Sequence, residues 1–406
     1  MKNYFLVISL ILICYNVSGQ NDNRITSGKI DSLYSEVLDE KRKIWIHVPN
    51  GNYEDPSQSQ KYPVLYLLDG KSNFYSTLGI TTYLSTSNRN TVLPKMIIVG
   101  ILNTDRVRDL TPSKGHFLDK SIAQNSGGGA NFLEFLEKEL IPYIESYYPT
   151  ESYRTLIGHS LSGLTVINTL ITKPELFNSY VAIDPSMWWN DKELLQTIKT
   201  TKLGKINSPK SLFLGIANTF DIDTATVKND TSIEKMPVRA MLDLDTYLKD
   251  FETQNKLNYK GKFYQDENHI TVGLIATYDA LHFIYNFYQL EFKDYELKDP
   301  TQDIIARIKK HYERLSKEFG RQVVPKRYFI ESLANKLVKI KQYEKAESLF
   351  RYYISIHPDN SYMHNILGDF FLSRMNKEKA IQTFKQSYAI DKNSYARDKI
   401  KVLKIN

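Results

Sequence analysis

Between about residues 40 and 290, short β-rich runs alternate with amphipathic helical ones, and this alternation narrows the fold more than any single motif. "KIWIHVP" (43–49), "PVLYLLDG" (63–70), "KMIIVGIL" (95–102), "RTLIGHS" (154–160), "SYVAIDPS" (179–186), "SLFLGIA" (211–217) and "GKFYQDE" (261–267) read as strands. Several are apolar without interruption, as strands buried on both faces must be. Between them, residues 131–148 and 239–255 carry apolar side chains at helical spacing with charges between. The pattern predicts an α/β fold with a mostly parallel central sheet covered by helices on both faces.

After Pro300 only helical patterns remain. Residues 333–360 can be laid over 367–394, so that Ala346 falls on Ala380, Phe350 on Phe384 and Ile356 on Ile390, all in one register. A 34-residue helix–turn–helix period with small and aromatic packing positions is similar to the tetratricopeptide repeat. The alanines matter because two helices cross there, and a large side chain would hold them apart. The expected organisation is an α/β domain over 25–295 and an all-α helical-repeat domain over 300–406, with segments near 301–319 and 394–404 as adjoining and capping helices.

Ahead of both lies a short basic start, an apolar run from Phe5 to Cys14 and the small residues Val17-Ser18-Gly19. This reads as a signal peptide over 1–19, cleaved near Gly19, because the run is too short to span a bilayer. The expected location is periplasmic or secreted. The lone cysteine, Cys14, falls inside this leader with Ile13 before it, a poor context for lipid attachment. The exported chain is then expected to hold no disulfide, thiol nucleophile or Cys-ligated metal.

The formal charge is +7, but residues 301–406 hold 22 Lys and Arg against 11 Asp and Glu, while the remainder holds 31 against 35. The basic excess therefore belongs to the helical tail, away from the α/β region, and no nucleic-acid partner or membrane span is expected.

"LIGHSLSGLT" (156–165) nearly spells the Gly-x-Ser-x-Gly nucleophile elbow. Gly158 and Ser160 are in place, the fifth position is Ser162, and the glycine arrives one residue late at Gly163. Such an elbow needs a delivering strand, a sharp turn and small flanking residues, because strand and helix nearly collide there. "RTLIG" and "SGLTVINTLIT" supply the strand and the helix. Ser162 cannot be the nucleophile of this motif, since Ser160 occupies the position two before it.

A serine hydroxyl needs a base, and the order Ser…acid…His brings in His269 of "DENHITVG". Asp221, in the loop after "SLFLGIA", is read as the acid, with Asp223 and Glu267 as alternatives. The oxyanion donors are expected to be the N–H of Leu161 and those of Gly70 and Lys71, although Asp69-Gly70 also fits an ordinary turn.

"YPVLYLLDG", "VGILNTDRVRDLTPS", "FLEFLEKELIPYIESYY", "LIGHSLSGLTVINTLITKPELFNSYVAIDPSMWWND" and "DENHITVGLIATYDALHFIY" together resemble the "Putative esterase" (esterase D) family of α/β-hydrolases, in the branch that includes siderophore (ferric enterobactin) esterases. The resemblance covers about residues 25–290. It implies hydrolysis of carboxylic esters without a cofactor or metal, with Ser160 as nucleophile and His269 as base. One departure is visible: the family usually has Gly-Gly where this chain has Ser162-Gly163. The acid is weak or absent in some relatives, which leaves Asp221 open.

Trp188 and Trp189 are read as an apolar pocket for the substrate or as cover for the core edge. Arg106 is read as a contact for an acidic substrate or, with Arg108 and Asp109, as part of a structural ion pair. His159 is read as a neighbour of the nucleophile at the substrate site. The expected function is an exported serine esterase acting through an acyl-enzyme on a small-molecule ester, a siderophore lactone or a carbohydrate acyl ester among the candidates. The helical repeats would be free to bind a protein partner. Other readings are a scaffold whose repeats do the work, or an acyltransferase or peptidase on the same fold.

Overall fold

The computed structural model describes residues 26–49, 60–87, 92–116, 120–201, 206, 208–220, 227, 230–252 and 257–405. The expected signal peptide, Cys14, Asp221 and Asp223 lie outside these residues.

Eight strands form one sheet: β1 (Lys29–Ser35), β2 (Glu40–His47), β3 (Tyr62–Leu67), β4 (Ile97–Ile101), β5 (Thr150–His159), β6 (Ser179–Ile183), β7 (Lys210–Ala217) and β8 (Leu257–Tyr264). Their order is β1-β2-β4-β3-β5-β6-β7-β8. β2 runs antiparallel to β1 and β4, and every other neighbouring pair is parallel. β3, β4 and β6 are buried along their whole length, which is what their uninterrupted apolar sequences require. β1 and β8 are the edge strands. Sequence patterning misses the polar β1 altogether and places β8 too late in the chain, because an edge strand needs no continuous apolar run.

Helices cover both faces. On one side pack α2 (Leu161–Thr172), the 236–252 helix and the 129–147 segment. That last segment is one run of helix with a π-turn at Leu136–Leu140. It lies just before Pro142, which has no N–H to bond the carbonyl of Lys138. On the other side pack α1 (Gly70–Ser85), α3 (Val272–Ile284) and the end of α4 (Ile304–Phe319).

The tail continues as α5 (Arg327–Lys339), α6 (Tyr343–Ile356), α7 (Ser361–Ser373), α8 (Lys377–Asp391) and α9 (Ser394–Ile405). α5 and α6 recur as α7 and α8 at the interval read in the sequence: Arg327 and Ser361 open the first helices of the two hairpins, and Tyr343 and Lys377 the second. Ala346 and Ala380 are fully buried. A Cβ on Gly368 would lie 2.6 Å from the Phe384 ring, so α7 and α8 approach closely. The third packing position of the repeat does not hold, because Ile390 is exposed and Ile356 only partly covered at the helix ends.

α4 joins the two regions. Its Ile304 and Ile308 belong to the apolar cluster of the tail, whereas Leu315 and Phe319 pack with Tyr153 and Phe287 in the sheet's second core. Arg321 then pairs with the buried Glu151 at 2.6 Å.

Candidate active site

β5 delivers Ser160 into a backbone conformation of φ 63°, ψ −120°, at the N-cap of α2. A non-glycine residue there costs on the order of 1–3 kcal/mol, so the surroundings must hold it. The Ser160 N–H donates to the Ile183 carbonyl at 3.0 Å, and the Ser160 carbonyl accepts from Leu164 and Ser186 at 3.0 and 3.1 Å. Both flanking glycines have steric reasons. A Cβ on Gly158 would sit 2.3 Å from the Ser162 carbonyl oxygen, and one on Gly163 would crowd Ile183 and Pro185 at 3.0 Å. The glycine that arrives one residue late therefore lets α2 pack against the exit of β6.

His269 follows β8 in a loop whose position is fixed by hydrogen bonds. Its N–H donates to the Thr219 hydroxyl at 3.0 Å, and the Asn218 N–H donates to the Glu267 carbonyl at 2.8 Å. Its Nε2 lies 3.2 Å from Ser160 Oγ, and its Nδ1 lies 2.5 Å from Asp184 Oδ2. Asp184 is 4% exposed, and its second oxygen accepts the Ala217 N–H at 2.8 Å. Like the serine it holds a positive φ, 41°.

The carboxylate against His269 is thus Asp184, which corrects the expectation of Asp221. β6 is the neighbour of β5 in the sheet, so the residue leaving β6 emerges beside the elbow. The order Ser160, Asp184, His269 satisfies the sequence rule, and an Asp ending an apolar strand is visible in "SYVAIDPS". Looking for the acid only after the following strand passes over it. Glu267, the other alternative among the described residues, contributes its backbone carbonyl to Asn218.

His159 lies half-buried beside the nucleophile. Its ring packs against that of His269, tilted by 37° with centroids 4.6 Å apart. Burial foremost, and then the adjacent His269, lower its pKa and favour the neutral ring.

Trp189 takes the second of its two readings, cover for the core. It is 3% exposed, and its indole N–H is satisfied by the Ser113 carbonyl at 3.1 Å, so it belongs to the core. Trp188 is half-buried against it, with ring centroids 6.1 Å apart.

Arg106 pairs with Asp69 rather than Asp109. Its Nε and Nη2 each lie 2.8 Å from a carboxylate oxygen. Asp109 is instead buried against Arg42 at 2.6 Å and Arg108 at 2.8 Å. Asp69, at φ 51°, is the N-cap of α1, whose first residues are Gly70 and Lys71. A Cβ on Gly70 would lie 2.5 Å from the Gly100 carbonyl carbon, so only glycine lets the loop approach β4 this closely. Gly70, Lys71 and Leu161 all open helices, where backbone N–H groups lack an intrahelical acceptor.

Among the described residues no group of three or more His, Cys, Asp or Glu is arranged to hold a metal, and no helix is long and apolar enough to cross a membrane.

Strand order, elbow and the Ser160–His269–Asp184 contacts define an α/β-hydrolase fold. Residues 35–211 match the family described as "Putative esterase". The chain is 34% identical over 176 residues to the ferri-bacillibactin esterase BesA of Bacillus subtilis, covering 39% of this chain and 60% of that protein. It is 33% identical over 146 residues to a siderophore enterobactin esterase of Emericella nidulans, covering 32% of this chain and 48% of that protein. The chain thus spans about half to three-fifths of the length of these curated relatives.

Among solved structures, an IroE-like serine hydrolase from Shewanella oneidensis aligns with a TM-score of 0.64 at 27% identity, over 80% of this chain and 99% of that one. A protein from Capnocytophaga ochracea aligns with a TM-score of 0.65 over 93% of this chain and 100% of its own, at 17% identity, a likeness of fold alone.

Proposed function

We propose that this chain is a serine carboxylic-ester hydrolase. The observation that carries the reading is the continuous relay from Ser160 Oγ through both nitrogens of His269 to Asp184, at 3.2 and 2.5 Å. His269 Nε2 takes the Ser160 hydroxyl proton as Oγ attacks the acyl carbon. Asp184 accepts the Nδ1–H, fixes the tautomer and offsets the imidazolium charge. The oxyanion forms against the N–H of Leu161 and those of Gly70 and Lys71. Collapse expels the alcohol with the proton from His269. A water, deprotonated by the same histidine, then releases the acid from the acyl-enzyme. Every proton in this cycle is moved by His269, so no cofactor is required.

The named relatives support a siderophore ester as substrate, with carbohydrate acyl esters as the alternative class. The leader read in the sequence supports action in the periplasm or outside the cell. The regular recurrence of the tail hairpins supports a tetratricopeptide-like module, which would be the surface for any protein partner.

The test compares wild type with Ser160→Ala on p-nitrophenyl acetate and on a catecholate trilactone, with fluorophosphonate labelling alongside. Turnover and labelling in wild type, both lost in the variant, are expected. Absence of both from folded wild-type protein would overturn the reading.

A further inference from the structure

Ser162 departs from the glycine of the elbow pattern, and its hydroxyl is fully buried. That hydroxyl accepts the His159 N–H at 2.8 Å and faces two acceptors, the His159 carbonyl at 2.7 Å and Asp69 Oδ2 at 2.8 Å. It has one proton to give, and a carboxylate is the stronger acceptor. Asp69 is in turn held by both Arg106 nitrogens and by the Asn103 amide at 2.6 Å. Burial alone would raise the Asp69 carboxyl. Arg106, then Asn103 and Ser162, outweigh it and hold the group below the ordinary carboxylate range.

We infer that Ser162 and Asp69 are positioning residues that tie the α1 loop to the nucleophile elbow, so that the two sources of oxyanion donors keep a fixed separation. Leu161 rides on the elbow, while Gly70 and Lys71 ride on the turn that follows β3. The last bond between β3 and β5 runs from the Leu68 N–H to the Ile157 carbonyl at 3.0 Å, so beyond it the turn needs another tie to the elbow. The Asp69–Ser162 bond supplies it, joining the residue just before Gly70 to the residue just after Leu161. The Arg106 guanidinium neutralises Asp69, which would otherwise place a negative charge beside a forming oxyanion. At the other end, Ser162 holds the backbone of His159, whose ring lies on His269. One buried hydroxyl thereby connects donor loop, elbow and base.

The catalytic consequence rests on the esterase reading, but the tie itself does not, so the experiment reads both. Ser162→Ala removes one oxygen with little change of shape, Ser162→Gly restores the elbow pattern, and Asp69→Asn keeps an acceptor but weakens the Arg106 pair. Amide hydrogen exchange over residues 68–72 is expected to quicken in Ser162→Ala and Ser162→Gly. The kcat on p-nitrophenyl acetate is expected to fall by up to about 100-fold with KM and melting temperature nearly unchanged. Asp69→Asn should follow in the same direction. A purely structural role would lower the melting temperature and spare kcat in the folded fraction, and that result overturns the inference, as does unchanged exchange over 68–72 in Ser162→Ala. Quickened exchange in a protein whose wild type turns over no ester would uphold the tie and remove the esterase reading.

Discussion

At the carboxyl edge of the sheet, Asp69, Ser160 and Asp184 hold φ values of 51°, 63° and 41°, while in the helical tail Lys341, Met375 and Lys392 hold 61°, 57° and 57°. A positive φ serves two purposes. In the tail each such residue ends a helix, where the left-handed conformation lets the next N–H reach back over the last turn. Gln342 bonds the Leu337 carbonyl at 2.9 Å, and one repeat later Asn376 bonds that of Phe371 at the same distance. The device is local, repeated and cheap. At the sheet edge the three residues are far apart in the chain, yet their side chains converge on the elbow and its histidine. There each strained turn is held by contacts from other strands, and the strain aims a functional group.

The comparison predicts that damage at the sheet edge removes chemistry and spares stability, whereas damage in the tail does the reverse. Asp184→Asn should give the largest effect, a fall of about 10³- to 10⁴-fold in kcat, since the histidine loses its tautomer control and charge partner. Asp221→Asn should stay within about threefold of wild type in the same steady-state assay. Equal losses in both variants would break the assignment of Asp184.

Gly368→Val should destabilise the tail by about 2–3 kcal/mol, because its first carbon already meets the Phe384 ring. Ester turnover below the melting transition should persist, as checked by calorimetry with activity on the same samples.

The smallest effect concerns the junction. Burial pushes the Glu151 carboxyl up to about 7, against the pull of Arg321. A carboxyl raised in the folded state contributes its full stability below its ordinary pKa of about 4.3. It loses that contribution as pH rises through 7. Glu151→Gln should therefore melt close to wild type at pH 5 and gain about 1 kcal/mol over it at pH 8. A variant less stable at pH 8 would show that the Arg321 pair outweighs burial.

Much of this is legible in the sequence because it rests on local pattern. The buried strands announce themselves by uninterrupted apolar runs, and the tail by its regular period. Ser160 and His269 can be picked out because small residues and chain order mark them. What escapes depends on contacts between segments far apart in sequence. Asp184 faces His269 only because β6 lies beside β5. Asp69 is part of an ordinary turn until Arg106 and Ser162 are seen on its carboxylate. For Trp189 the sequence leaves pocket and core cover both open, because composition cannot say that Ser113 already caps its indole. Ser162 reads as a small substitute for glycine, yet its hydroxyl matters more than its size.

Nucleophile and acid are locked into neighbouring strands by main-chain bonds, Ser160 to Ile183, Ser186 to Ser160, and Asp184 to Gly215 at 2.7 Å. The histidine comes from a loop much later in the chain than the acid, joined to the end of β7 through the Thr219 hydroxyl, the Asn218 amide and one main-chain bond from Asn218 to Glu267. Warming such an assembly should therefore silence it well before it melts, with the imidazole swinging away while the sheet, and the serine on it, stay put. On cooling, recovery would need one loop to reseat rather than a chain to refold.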